Sequence, residues 1–162
     1  MSQVVTVGIS DLNAVKAPDV LVTYALGSCV GICLYDPSMK IAGLSHIMLP
    51  SSVQMSADKS QAMKFADTAI EVLVHRMEKM GAHIFRMKAK IAGGAQMFSG
   101  VNNSSLANIG QRNVIAVKQE LLRLHIPIIA EDTGKNYGRT LYFGADDGSM
   151  RIKSVNRGEW VW

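Results

Sequence analysis

Cysteine is scarce in this chain. Only Cys29 and Cys33 occur in 162 residues. Two thiols four positions apart on one apolar stretch exclude a disulfide-stapled fold and a C-x-x-C redox turn. Aromatic residues make up only 6% and are not interleaved with basic ones, which argues against a nucleic-acid surface. The charge balance is mild, +4 from 17 Lys+Arg and 13 Asp+Glu, and it is spread along the chain. Its densest basic cluster is Arg86, Lys88 and Lys90, whose period of two predicts the solvated face of an edge strand. No run reaches the ~18 apolar residues of a membrane-crossing helix. The start, Met1-Ser2-Gln3-Val4, lacks the basic and hydrophobic blocks of a signal peptide. These absences predict a cytoplasmic location, reduced cysteines and no direct membrane insertion. His46, His75, His83 and His125 are scattered, so no metal or other cofactor is expected.

Apolar residues are abundant, at 48%, enough to build a sizeable core. No repeat or linker interrupts the chain, so one domain spanning residues 1–162 is expected. Val4 to Ile9, Asp11 to Lys16, Val20 to Leu26, Val30 to Tyr35 and Ile41 to Leu49 read as strands. The turn Asp36-Pro37-Ser38-Met39-Lys40 joins the last two into an antiparallel hairpin. A helix is expected from about Asp58 to Met80, capped by Ser56 and stopped by Gly81. Ala62, Phe65, Ala66, Ala69, Ile70, Leu73, Met77 and Met80 make its inner stripe. Met87 to Ile91 reads as a strand and Gly93-Gly94 as a tight turn. A second helix follows over about 110–125, then a strand over 127–130. Arg139 to Phe143 and Met150 to Val155 form a hairpin around Asp146-Asp147-Gly148. The order predicts a mixed α/β (α+β) domain in which two long helices cover a β-sheet core.

Cys29 lies in Leu26-Gly27-Ser28-Cys29-Val30-Gly31, a glycine-flanked turn that opens onto a strand. A thiol becomes a nucleophile when an imidazole takes its proton. His46 occupies the partner strand of the hairpin. A turn centred near residue 38 pairs positions whose numbers sum to about 75 or 76, which sets Cys29 opposite residue 46 or 47, with Cβ atoms ~5 Å apart. Backbone N–H groups at Ser28 and Cys29 are candidates for an oxyanion hole. Thr23, six residues before Cys29, could orient His46 through its hydroxyl or its carbonyl, or be an ordinary strand residue. Asp132 is a competing orienter. Cys33 reads as a core residue. His75, His83 and His125 have ordinary structural explanations. Gly94 and Phe98 are candidate partner or substrate contacts, with burial of Phe98 as the plainer reading. Gly134 to Arg139 reads as a flexible loop. The motif alone leaves open a hydrolase, a protease or transglutaminase-like enzyme, and a non-catalytic binding module.

At these residues the chain resembles the CheD family, the chemoreceptor glutamine deamidases. The resemblance runs through Leu26-Gly27-Ser28-Cys29-Val30, Tyr35-Asp36-Pro37 and His46-Ile47-Met48-Leu49-Pro50. It continues through Gly93-Gly94-Ala95-Gln96-Met97-Phe98, Asp132-Thr133-Gly134 and Tyr137-Gly138-Arg139. One departure is Lys135, where the family pattern usually has a second glycine. The resemblance implies a Cys-His-Thr site on Cys29, His46 and Thr23, and a fold similar to the catalytic domain of cytotoxic necrotising factor toxins. It also implies action on glutamines of methyl-accepting chemotaxis receptors, and binding to the phosphatase CheC where that partner exists.

Overall fold

The computed structural model describes residues 2–53, 59–97 and 108–162. The expected Ser56 cap and the Phe98 contact lie outside them. Among the described residues there are ten strands and two α-helices. The strands are β1 (Val4–Thr6), β2 (Asp11–Lys16), β3 (Val20–Leu26), β4 (Val30–Asp36), β5 (Ile41–Ile47), β6 (Lys88–Gly93), β7 (Ile128–Thr133), β8 (Arg139–Gly144), β9 (Met150–Ser154) and β10 (Gly158–Val161). The helices are α1 (Ala66–Lys79) and α2 (Ile109–Arg123). One sheet has the order β1-β3-β8-β9-β10 and the other β2-β5-β4-β6-β7. The class is the mixed α/β arrangement expected from the element order.

Two apolar layers organise the molecule. Leu21, Leu26, Cys33, Leu44, Leu141, Phe143 and Ile152 fill the space between the sheets. Val30, Ile32, Leu34, Ile41 and Ile47 point the other way, onto Ile70, Leu73 and Met77 of α1 and Val117 and Leu121 of α2. The second sheet is therefore covered on both faces. Continuous apolar runs in β4 and β5, without polar alternation, are the sequence signature of that burial. Helix α1 comes so close to β5 that a Cβ on Gly43 would lie 2.5 Å from Met77 Sδ.

Several expectations are corrected. The single helix over 58–80 is instead a 3-10 turn, Lys59–Lys64, followed by α1. Phe65 between them is extended, with φ −115° and ψ 143°, and is bridged to Leu49. The buried Phe65 ring and the Ala66 N–H to Leu49 carbonyl bond (3.0 Å) outweigh unbroken helix at that point. β5 accordingly stops at Ile47, before this junction. The basic cluster is not on an edge strand, because β6 lies between β4 and β7. Lys90 reaches the carbonyls of Gly148 (2.8 Å) and Trp162 (2.9 Å), and Arg86 pairs with the buried Asp36 at 2.9 Å. The segment after Val155 forms β10. Trp160 and Trp162 donate their indole N–H groups to Asp132, whose other oxygen is held by the buried Arg139 guanidinium.

Candidate active site

The β4–β5 pairing aligns Gly31 with His46 and Val30 with Ile47. These numbers sum to 77, so the expected register is displaced and Cys29 is not directly opposite His46. The turn holds four residues, 37–40, between the paired Asp36 and Ile41, and Lys40 has φ +51°. Cys29 stands two positions before Gly31, outside the ladder. Cys29 packs against the layer between the sheets, and His46 reaches across that layer to Thr23, so the two share one face of the second sheet. That face is the one turned toward the first sheet.

His46 is fully buried, and its Nδ1 lies 2.7 Å from Thr23 Oγ1. Thr23 belongs to β3, so this contact crosses between the sheets. The Thr23 hydroxyl donates to the Val7 carbonyl at 2.7 Å. Its one proton is therefore committed, and toward His46 it can only accept. This places the imidazole proton on Nδ1 and leaves a lone pair on Nε2. Nε2 is buried with no hydrogen-bond partner among the described residues. The side-chain hydroxyl of Thr23, not its carbonyl, makes the contact. Asp132 is occupied by Arg139 and the two indoles instead.

The Cys29 turn is anchored through three consecutive carbonyls. Gly27 O accepts from Ala95 N–H at 2.8 Å, and Cys29 O accepts from Gly94 N–H at 2.8 Å. Ser28 O accepts from Asn113 Nδ2 on α2 at 2.9 Å. Gly93, at φ +109°, is required here, since a Cβ would lie 2.3 Å from Cys29 O. Gly94 is buried against the nucleophile turn and α2, and it lines a cavity shared with Gln96, Gln111, Val114, Thr133 and Lys135. Met97 lies across the same turn, its Cγ 3.2 Å from where a Gly27 Cβ would be. Gln96 N–H bonds to the Lys135 carbonyl at 2.9 Å. Lys135 has φ +64°, a left-handed conformation natural for glycine.

Burial raises the Cys29 thiol, while its own backbone N–H works against that rise. Burial lowers the His46 imidazole to about 4. At neutral pH the pair therefore rests as thiol and neutral imidazole, a base awaiting a proton rather than a preformed ion pair. Cys33 faces the same inter-sheet layer but is fully buried, and desolvation pushes its thiol far above the usual range. A part-buried thiol on the same face as an oriented imidazole can support covalent acyl chemistry.

Comparison with known proteins bears on which chemistry that is. Residues 48–154 match the family described as CheD chemotactic sensory transduction. A protein of Caldanaerobacter subterraneus, "Probable chemoreceptor glutamine deamidase CheD", is 54% identical over 97% of this chain and 96% of its own length. The chain belongs to the CheD family. The "Chemoreceptor glutamine deamidase CheD" of Halalkalibacterium halodurans is 48% identical over 98% of both chains. A CheD of Syntrophomonas wolfei is 47% identical over 99% of both. These full-length similarities extend across Thr23, Cys29 and His46, which precede the stretch matched to the CheD family description.

Sequence reasoning did not find Asn113, which reads as one more polar helix position. The stop of β5 at Ile47 was equally unmarked. The one available signal was an asparagine on the inner side of the stripe Val114, Val117 and Leu121.

Proposed function

We infer that this chain is a chemoreceptor glutamine deamidase, converting selected receptor glutamines to glutamate with release of ammonia. Membership of the CheD family supports the activity. The observation that carries the site is the Thr23–His46 hydrogen bond across the two sheets, which leaves Nε2 of His46 as a buried base on the Cys29 face. His46 Nε2 takes the Cys29 thiol proton as the sulfur attacks the carboxamide carbon. Because both groups rest neutral, proton transfer accompanies attack. The carbonyl oxygen becomes an oxyanion that accepts hydrogen bonds from backbone N–H groups at Ser28 and Cys29. Protonated His46 returns its proton to the leaving nitrogen, ammonia departs and a thioester remains. Water, deprotonated by His46, hydrolyses the thioester to glutamate and frees the thiol. Thr23 stabilises the imidazolium that forms twice in this cycle.

The reaction leaves a new carboxylate on the receptor and changes its charge. The substrate is the cytoplasmic region of the receptor, and the family resemblance makes CheC a partner where it is present. A cytoplasmic place beside receptor arrays is consistent with the described helices, none of which is long and apolar enough to cross a membrane.

Receptor fragments incubated with the protein should gain ~1 Da per converted glutamine, the difference between an amide and an acid. Cys29→Ala should abolish that shift and Cys33→Ala should largely keep it. Full activity in folded Cys29→Ala would sink the assignment. Receptor binding without any mass shift from the wild type would favour a non-catalytic adaptor. Cleaved peptides or incorporated amines would point to a protease or a transglutaminase.

A further inference from the structure

Asn113 is completely buried on α2 and reaches past the end of the second sheet. Its single NH2 group makes two hydrogen bonds, to Ser28 O and to Met48 O, each 2.9 Å. Ser28 precedes Cys29, and Met48 is two residues beyond His46. One amide therefore ties the nucleophile turn to the end of the base-bearing strand. Its orientation is unambiguous, because a flipped amide would set Oδ1 against two carbonyl oxygens.

The other end of the same amide is left unsatisfied. Asn113 Oδ1 is buried with no hydrogen-bond partner among the described residues. The amide is thus committed as a donor to carbonyls at the nucleophile turn and at the end of the His46 strand. The peptide between Ser28 and Cys29 gives that commitment a geometric consequence. In a planar trans peptide the C=O and N–H point in opposite directions. Holding Ser28 O toward α2 turns the Cys29 N–H away from α2. That direction agrees with the interaction between the Cys29 N–H and its own sulfur.

We propose that Asn113 is a positioning residue: it clamps the Cys29 turn to the end of the His46 strand and aims the Cys29 N–H at the oxygen of the reacting carboxamide. It touches no substrate, since it has no exposed surface. Loss of the clamp frees the Ser28–Cys29 peptide to rotate, which would turn a carbonyl toward the developing oxyanion.

The proposal rests on Cys29 as the nucleophile, so its test carries a readout independent of deamidation. Asn113→Leu keeps the branched outline of four side-chain heavy atoms and removes the donors. Val117→Ala, on the same helix and wholly in the apolar layer, is the stability control. For each protein, kcat and KM for ammonia release from a receptor fragment, the thermal midpoint, and the pH dependence of Cys29 alkylation by iodoacetamide are measured. Asn113→Leu should lower kcat roughly 10- to 100-fold, the effect of a misplacement near 1 Å, with KM almost unchanged. Its Cys29 alkylation should need higher pH, because the Cys29 N–H that opposes the burial-driven rise of the thiol is no longer held in place. Val117→Ala should lower the midpoint while leaving both kcat and the alkylation profile as in the wild type. Wild-type kcat in folded Asn113→Leu would overturn the proposal, and so would the same losses in Val117→Ala at a matched midpoint. If Asn113→Leu does not fold, Asn113→Ser, with one donor, is judged by the same criteria. A wild type that releases no ammonia would refute the deamidase reading, while the alkylation comparison would still decide the clamp.

Discussion

Replacing Thr23 by valine removes one oxygen and nearly conserves shape, so its consequences can be worked out from two hydrogen bonds. In the wild type Oγ1 lies 2.7 Å from both His46 Nδ1 and the Val7 carbonyl. Thr23→Val leaves a buried N–H and a buried carbonyl without this partner. Each orphan costs about 1–3 kcal/mol, so the fold should lose roughly 2–6 kcal/mol. The rate effect is separate. A hydrogen bond to a charged group is worth about 1.5–3 kcal/mol and one between neutral groups about 0.5–1.5. Only the difference acts on the barrier, as His46 passes from imidazole to imidazolium. About 1–1.5 kcal/mol of transition-state stabilisation is lost, which lowers kcat roughly tenfold. Reversal of the tautomer, once Nδ1 has no acceptor, lowers it further. Thr23→Ser keeps both hydrogen bonds and loses one methyl, near 1 kcal/mol of stability, with kcat close to wild type. Urea unfolding and ammonia release from a receptor fragment measure the two effects. Wild-type kcat in folded Thr23→Val, or an equal loss in Thr23→Ser, would refute the argument.

Three further outcomes follow from burial and backbone geometry. His46 is lowered from 6.5 to about 4, so between those values the unfolded chain binds a proton that the folded chain refuses. Its contribution is complete above pH 6.5 and is lost as pH falls toward 4, amounting to roughly 3 kcal/mol. Urea titrations near pH 7 and near pH 4.5 should show a steeper loss in the wild type than in His46→Gln, and equal slopes would refute it. Gly93→Ala should cost roughly 2 kcal/mol or more and most of the activity, because its Cβ meets Cys29 O at 2.3 Å and φ is +109°; an unchanged thermal midpoint would contradict this. Iodoacetamide should label Cys29 and spare the fully buried Cys33 in the native protein. Equal labelling of both, checked by peptide mass, would mean that the inter-sheet layer is open.

Much of the architecture was legible because it is local. The bounds of β2 and β3 were legible to the residue. The bounds of β4 and β8 were read to within one residue. Helix α2 was placed from its apolar stripe. The misses have tertiary causes. Phe65 continues a helical pattern but is pulled into an extended bridge with Leu49. Arg86, Lys88 and Lys90 have edge-strand periodicity, yet β7 covers β6, and the lysine stem at Lys90 carries its charge out to two backbone carbonyls. β10 is four residues with an exposed rim, and only the indole bonds to Asp132 from across the molecule make sense of it.

Local sequence made β4 and β5 neighbours and so set the thiol turn and the histidine at one hairpin, because a short turn leaves consecutive strands little other choice. It could not determine their register, since one extra residue in the turn changes which positions are opposed. That Thr23 meets His46 through its hydroxyl follows from how the two separate sheets pack, since the bond joins one to the other. The same holds for the Asn113 bonds to Ser28 and Met48, which join three elements far apart in the chain. Residue types limit which hydrogen bonds can form; packing of the layers selects the ones that do.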